Sequence, residues 1–189
     1  MSGIAGLGAD LPERRPGCGS LTLDPRRADE LLVRQRAGTL ASRRVTLSAL
    51  EDDVDAFDAR GWGDGLPVVP PTEARVLRML EGTDRAPGEV VAVVPPDLTP
   101  ATVEKVAINA VLAGCRPEYL PVVLAAVEAA CTDGFNMHGL LATTWFAGPM
   151  VVVSGPVARD IGMNDAMNAL GQGNRANATI GRALQLIVR

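Results

Sequence analysis

The chain has 189 residues, a formal net charge of −4 and a pI near 5.0; 47% of the residues are hydrophobic and 21% are charged. This length supports one main core, and the acidic balance, with no basic stripe, argues against a nucleic-acid partner. Because no apolar run could span a bilayer and the first residues lack a secretory pattern, we expect a cytoplasmic protein with no membrane partner.

Residues 1–60 carry mixed charge and few large apolar side chains, so we expect a partly ordered N-terminal arm that could form an interface. Two weakly amphipathic pieces, around Ala28–Arg36 and Ser48–Arg60, are candidates to dock on the main body or on a partner. A solvated segment fits the composition better. Residues 61–189 are expected to form an α/β core domain.

The core domain opens with a region punctuated by proline and glycine, which leads into the first predicted elements. A capping threonine and apolar residues at helical spacing predict a helix over Thr72–Leu80. The β-branched run Val90–Pro96 predicts a buried strand. Thr99, followed by proline, predicts the start of a helix that Gly114 ends. Pro117 then opens a second helix, which is apolar nearly all round and should be central.

The rest of the chain predicts two further strands and several short helices. The runs Leu140–Trp145 and Pro149–Pro156 have the composition of strands. Short helical pieces are expected over Val157–Ile161 and Asp165–Leu170, and a last helix should begin at residue 177 or 178. Together these elements predict an α/β or α+β fold, with a small and mostly buried sheet packed by helices.

The loop before the last helix is rich in glycine and asparagine and is the first candidate binding site. Its sequence GQGNRA matches G-x-G-x-x-A, but the dinucleotide fingerprint also needs a preceding strand and a later acidic residue, and both are missing. A helix N-terminus beside glycines could instead hold an anion. Ordinary capping by asparagine explains the same residues equally well. The candidate substrate-binding residues are Asn174, Arg175, Asn177, Thr179 and Arg182.

His138 is the only histidine of the chain and the first candidate for proton transfer. It lies in a glycine-bounded loop between a predicted helix and a predicted strand, where catalytic groups are common, although lone histidines are more often structural. Asn136 beside it is a further candidate substrate-binding residue. One histidine cannot form a multi-histidine metal centre, so the sequence predicts no metal site, and no motif specifies a cofactor.

Cys115 is a candidate nucleophile, because Arg116 follows it directly and could lower the pKa of its thiol. A buried and inert thiol is the more common state of a cysteine between two apolar helices. The other two cysteines, Cys18 and Cys131, are spaced too widely and irregularly to suggest a disulfide framework or a zinc site.

Three blocks of the core domain stand out together: VEKVAINAVLAGCRPEYLPVVLAAVEA, FNMHGLLATTWFAGPMVVVSGP and NALGQGNRANATIGRALQL. They resemble an uncharacterised bacterial family that is often paired with, or neighbours, small proteins carrying a U-G-S-C motif, where U is selenocysteine or cysteine. The likeness covers residues 61–189. Family members continue beyond the last helix into a glycine-rich segment and an acidic, aromatic-containing tail. The resemblance therefore implies a C-terminally shortened or split member that a second chain completes.

These observations lead to two expected functions. The first is a subunit of a small-molecule metabolic enzyme, of lyase, hydratase or redox type, that acts on an anionic or thiol-bearing metabolite. In this interpretation His138 is the acid or base, Cys115 the nucleophile, and a homologous or complementary chain completes a hetero-oligomer. The second is a non-catalytic partner that stabilises a homologous catalytic subunit, in which case the conspicuous polar residues are structural.

Overall fold

The computed structural model describes Val33, residues 38–48 and residues 50–189. The amphipathic piece predicted at Ala28–Arg36 lies almost wholly outside the described residues, as does Cys18. In chain order the elements are α1 (Asp53–Ala59), α2 (Glu73–Leu80), β1 (Val90–Val94), β2 (Thr99–Thr102), α3 (Val103–Ala113), a 3₁₀ turn (Pro117–Tyr119), α4 (Leu120–Ala130), α5 (Met137–Ala142), α6 (Pro156–Asp160) and α7 (Arg175–Val188).

Helix α3 forms the centre of the fold and packs against α2, α4, β2 and α7. Its sequence VEKVAINAVLA is apolar on most sides, and eight of its eleven residues are buried. Among them, Ala107 and Ala110 are small and completely buried, which lets neighbouring helices approach closely. Helix α7 contributes a buried stripe at helical spacing, Ala176, Ile180, Ala183 and Leu184.

Both ends of α3 are fixed by capping residues. The Thr102 hydroxyl accepts a hydrogen bond from the Lys105 amide at 3.3 Å. At the other end Gly114 adopts the left-handed conformation, with φ 88°, which favours glycine. The predicted end of this helix is confirmed. The predicted start at Thr99 is wrong, because residues 99–102 pair with β1 before the helix begins.

Within the described residues the sheet is a two-stranded antiparallel pair, in which Val94 lies opposite Thr99 and Val90 opposite Thr102. Helix α4 packs against β1. Val94 and Ala101 are buried, whereas Val90 is half exposed. The predicted mixed class, a small sheet packed by helices, is confirmed. The first strand is buried at its last residue and not along its whole length.

The stretch between α4 and α6 forms no strand, so both strands predicted there are wrong. The Asn136 side chain accepts a hydrogen bond from the Gly139 amide at 3.2 Å and starts α5, which takes the apolar residues that follow into a helix. In the run Pro149–Pro156, Val151 and Val153 pack on the core while Val152 is 79% exposed. This is the alternation of a strand, but no other described segment pairs with it.

The connection between α6 and α7 is held by asparagine side chains. The helical piece expected at Val157–Ile161 is confirmed as α6. The piece expected at Asp165–Leu170 is wrong, because these residues form turns. There the Asn164 side chain accepts a hydrogen bond from the Ala166 amide at 3.1 Å, which favours a turn over a helix. Helix α7 begins at Arg175, two residues earlier than expected.

The described residues before the core domain pack against it. Helix α1 buries Phe57, which clusters with Val68 and Leu112. The segment Leu40–Leu47, here called the strap, contains no helix or strand and is tied to α3 by hydrogen bonds from its backbone to Glu104. These contacts place the strap beside a cavity in the helical body.

Gly82, just after α2, lies so close to the 3₁₀ turn that a Cβ atom would overlap the carbonyl oxygen of Pro117. We therefore expect Gly82→Ala to lower the free energy of unfolding by about 1–3 kcal/mol, the usual range for overpacking. Chemical denaturation measures this. The matched control is Gly88→Ala, because no atom lies within 4 Å of the added methyl group there. Equal stability of the two variants would contradict the close approach.

Candidate functional site

The polar residues predicted to form a site do not converge on one place. Those near the start of α7 bond to one another or to neighbouring loops, and the others lie elsewhere. None of the eight lines the cavity beside the strap or the apolar groove between α4 and residues 149–154. They separate into four groups: Cys115 with Arg175 and Thr179; Asn174 with Asn177; Arg182; and Asn136 with His138.

Cys115 is 6% exposed, and its thiol donates a hydrogen bond to the Thr179 carbonyl oxygen at 3.3 Å. Burial, the largest influence, raises the pKa of this thiol to about 11, against smaller lowering effects of the Thr179 hydrogen bond and the charge of Arg175. The thiolate is the nucleophilic form of cysteine, and a pKa of about 11 keeps the thiol protonated at neutral pH. The expected nucleophile is therefore not supported, and packing accounts for Cys115.

Arg175 and Thr179 fasten the first turn of α7. The Arg175 Nε donates to the Gly114 carbonyl oxygen at 2.8 Å, and the Thr179 hydroxyl donates to the Arg175 carbonyl oxygen at 2.7 Å. The first bond satisfies a carbonyl at the end of α3, where a helix leaves acceptors unpaired. Both side chains, which were expected to bind a substrate, therefore bond to backbone carbonyl oxygens of the protein.

Asn174 and Asn177 hold the loop before α7 against the helix. The Asn174 side chain caps α7 by accepting from the Asn177 amide at 3.0 Å, and its Nδ2 donates to Gly162. The Asn177 side chain accepts from the Asn164 amide at 3.0 Å and donates to the carbonyl oxygens of Asn164 and Ala169. These bonds favour the capping interpretation over an anion site, because the side-chain amides of Asn174 and Asn177 already bond to other groups of the protein.

Arg182 joins α7 to the loop after α1. Its Nε and Nη2 donate to the two carboxylate oxygens of Asp64 at 2.8 and 2.7 Å, and Nη2 also reaches the carbonyl oxygens of Leu66 and Pro67. The hydrogen bonds from Arg182, the largest influence, lower the pKa of Asp64 to about 2 although burial opposes them. Arg182 is thus engaged in a bidentate ion pair.

We expect Asp64→Asn to lower the free energy of unfolding by about 2 kcal/mol at neutral pH, because it removes charge-assisted hydrogen bonds in a largely buried pair. The pKa of Asp64 is about 2 in the folded chain against an ordinary value of 3.8. Its contribution is therefore fully present above pH 3.8 and is lost as the pH falls towards 2. Denaturation curves at several pH values measure both effects.

The control for this pair is a double-mutant cycle with Arg182→Gln. The two single variants should each be destabilised, and the double variant should cost much less than their sum. Strictly additive losses would contradict a direct ion pair between Asp64 and Arg182.

His138 and Asn136 lie at the start of α5, away from the other predicted residues. His138 is exposed, and its side chain makes no hydrogen bond or ion pair with another described residue. Asn136 adopts a left-handed backbone with φ 55° and acts as the N-cap of α5. An acid or base needs a neighbour that orients it and a pocket that receives the substrate. The described residues supply neither to His138.

A cavity of about 930 Å³ lies between the strap and the helical body and is called here the strap cavity. Phe57 and Trp62 meet on its wall edge to face, with ring centroids 5.4 Å apart. The rest of its apolar lining includes Val76, Ile108, Leu112 and Leu186, and its polar lining includes Arg43, Arg44, Glu73, Glu104 and Asn109. The sequence did not predict this site, because the strap has the composition of a solvated arm and no local pattern links it to α3.

Glu104 is 3% exposed, and its carboxylate accepts hydrogen bonds from the backbone amides of Ala41 at 3.0 Å and Ser42 at 2.8 Å. Burial, the largest single influence, raises its pKa, but the hydrogen bonds from Ser42 and Ala41 together lower the pKa below its ordinary value of 4.5. An ionised carboxylate without such partners would be costly to bury. The strap and Glu104 therefore stabilise each other.

We expect Glu104→Gln to release the strap, because one amide would then face the Gln nitrogen and not an acceptor. Hydrogen exchange at Ala41 and Ser42 should become at least about tenfold faster, which corresponds to a loss of about 1.4 kcal/mol in local opening. The pKa of Glu104 is lowered in the folded chain. The protection is therefore complete above pH 4.5 and decreases as the pH falls below it.

Glu118→Gln is the matched control, since Glu118 is exposed in the 3₁₀ turn and has no partner among the described residues. It should leave the exchange of the two strap amides unchanged. Unchanged exchange in Glu104→Gln as well would mean that Glu104 does not hold the strap.

A second feature is an apolar surface around Trp145 and Phe146, here called the aromatic pair. The two rings stack with centroids 5.3 Å apart and are 71% and 91% exposed. Close in sequence lies an apolar groove of about 560 Å³, formed between α4 and the run Pro149–Ser154. The groove lining contains no charged residue and includes Ala125, Ala126, Ala129, Phe135, Met150 and Val152.

Comparisons of the chain with protein-family models, with curated proteins and with solved structures find no match. The resemblance stated from the sequence therefore remains a prediction. Within the described residues, no helix has the length and apolar character needed to cross a membrane. Nor do three His, Cys, Asp or Glu side chains of that part of the chain lie close enough together to hold a metal ion.

Proposed function

We propose that the chain is a subunit of a protein assembly that supplies a binding surface and no catalytic group, and that it binds a second copy of itself. The observation that carries this proposal is the exposure of the aromatic pair. Large aromatic side chains dominate the energetics of interfaces, and their exposure in a free chain is typical of a surface that a partner covers.

The charge of this region supports a second copy as the partner. From Gly134 to Ala158 the sequence contains no Asp, Glu, Lys or Arg, although the chain as a whole is 21% charged. Two copies with a net charge of −4 repel each other in general. A surface without charge lets them meet with no like-charge contact, and it offers nothing to a partner selected by charge.

The shape of this region also supports a second copy. The aromatic pair is exposed, and Pro149 at the edge of the apolar groove is three residues after Phe146, within about 11 Å along the chain. A two-fold dimer requires such a self-complementary patch, in which the protrusion of each copy meets the depression of the other. We propose that the aromatic pair of each copy enters the groove of its partner.

The two reciprocal contacts supply the centre of an interface. Two aromatic side chains bury at most about 300–500 Å² when covered, so the two pairs contribute up to about 600–1,000 Å². A stable protein interface buries about 1,200–2,000 Å² in total, so the residues around each aromatic pair must also take part.

The predicted catalytic residues do not favour an enzyme. Cys115 is a buried thiol with a raised pKa, and His138 has no orienting neighbour among the described residues. Both hypotheses drawn from the sequence expect a second protein chain, and the apolar surface supports that expectation. The homologous partner implied by the family resemblance is proposed here to be the chain itself.

Size-exclusion chromatography with light scattering tests the proposal. We expect a species of about twice 19.7 kDa for the natural chain. Replacing Trp145 and Phe146 by Ser should weaken the dimer at least about 30-fold, as expected for the central residues of an interface. Because both rings are exposed, the circular dichroism spectrum and the thermal unfolding of the monomer should not change.

Leu50→Ser is the matched control, since Leu50 is 98% exposed and lies outside the aromatic pair and the groove. It should remain a dimer. A monomeric natural chain at 100 µM, or a Trp145 and Phe146 variant as dimeric as the control, would overturn the proposal. If the monomer co-elutes with a different protein, that protein and not a second copy is the partner.

A further inference from the structure

The strap cavity is separate from the surface proposed to bind a second copy. None of the residues that line it lines the apolar groove, and the aromatic pair is not part of it. Its volume of about 930 Å³ lies within the usual range of small-molecule sites, about 300–1,000 Å³. Such sites combine an apolar lining with a few placed polar groups, and the strap cavity has both.

The lining offers an apolar surface with one aromatic corner. Phe57 packs its ring edge to face against Trp62 at an interplanar angle of 77°, and Trp62 remains half-buried beside the cavity. Arg60 lies over the Trp62 ring, 5.6 Å from its centroid. Ile108 of α3 and Leu186 of α7 add aliphatic surface. This part of the lining suits a hydrocarbon chain or a ring.

Some of the charged side chains that line the cavity have partners, and others have none. The carboxylate of Glu104 accepts two backbone amides, and Glu73 pairs with Arg44 at 2.8 Å. Arg43, on the strap between Ser42 and Arg44, is exposed and has no hydrogen bond or ion pair with another described residue. Arg189, the residue after α7, also lines the cavity and forms no side-chain ion pair with another described residue. No described carboxylate neutralises the guanidinium of Arg43, and an arginine in this state is suited to a carboxylate or another anion.

We propose that the strap cavity binds a small anionic molecule with an apolar body, its anionic group at Arg43 and its body against Phe57 and Trp62. The contact between Glu104 and the strap fixes the position of Arg43, because Ser42 is the residue directly before it. The site therefore selects for a carboxylate attached to a hydrocarbon chain or an aromatic ring. Medium-chain fatty acids and aromatic acids share this chemistry.

Tryptophan fluorescence tests the proposal, because the chain has two tryptophans and only Trp62 lines the cavity. In Trp145→Phe the remaining Trp62 becomes the reporter, and an aromatic ring is kept at position 145. Octanoate and phenylacetate are the anionic probes, one with an aliphatic and one with an aromatic body. Octanol, which has the same chain without the charge, is the control ligand. Light scattering verifies that the oligomeric state of the variant equals that of the natural chain.

We expect a saturable change in Trp62 fluorescence with at least one anionic probe and at least about tenfold weaker binding of octanol. The anionic probe that binds more tightly shows which body the cavity prefers. Arg43→Gln in the Trp145→Phe background should weaken the anionic probe at least about tenfold and leave octanol unchanged. Arg159→Gln, which removes an exposed arginine from α6, should change neither.

Three results would overturn the inference: no saturable signal with either acid, equal affinity for octanol and octanoate, or equal affinity of the Arg43→Gln and Arg159→Gln variants. Isothermal titration of the natural chain with the same probes repeats the test without the reporter substitution. Neither measurement depends on the aromatic pair as a protein interface.

Discussion

The burial of α3 is the constraint on which the rest of the structure depends. A helix that is apolar on nearly every side is stable in water only when other elements cover it. Helices α2, α4 and α7 provide that cover, and the small residues Ala107, Ala110 and Ala183 allow the axes to approach closely. In the part of the chain that the structure describes, these three helices and a two-stranded sheet surround α3. The fold is therefore organised by one central helix and not by its sheet.

The exception to this apolar burial explains how the N-terminal residues are attached. Glu104 lies on the same helix, and its carboxylate is buried only because the backbone amides of Ala41 and Ser42 replace its water. Asp64 and Arg182 do the same for the loop after α1, at a separation of 118 residues. Both contacts are polar, and each involves only a few residues, although these are far apart in the sequence. They hold peripheral segments in place without enlarging the core, and such segments open more readily than the helices beneath them.

Features that depend on residues close in the sequence could be predicted, and features that depend on residues far apart in the sequence could not. The end of α3 at Gly114 depends on neighbouring residues and was predictable. The strand expected at Leu140–Trp145 was wrong because a short apolar run carries no reliable period, and the Asn136 cap decided for a helix. Arg182 was recognised as conspicuous, but nothing near it in the sequence marks Asp64 as its partner. The strap cavity depends on contacts of the same long range and was not predictable.

The asparagines and arginines of α7 show that folding itself makes use of conspicuous polar residues. A folded chain must satisfy its buried amides and helix ends, and Asn174, Asn177 and Arg175 are used for that purpose. Binding capacity resides in the groups that folding leaves without a partner. In the described chain these include the rings of Trp145 and Phe146, which lack cover, and the guanidinium of Arg43, which lacks a counter-charge. An apolar surface can cover the two rings, and an anion can pair with the guanidinium, so the two surfaces are suited to different ligands.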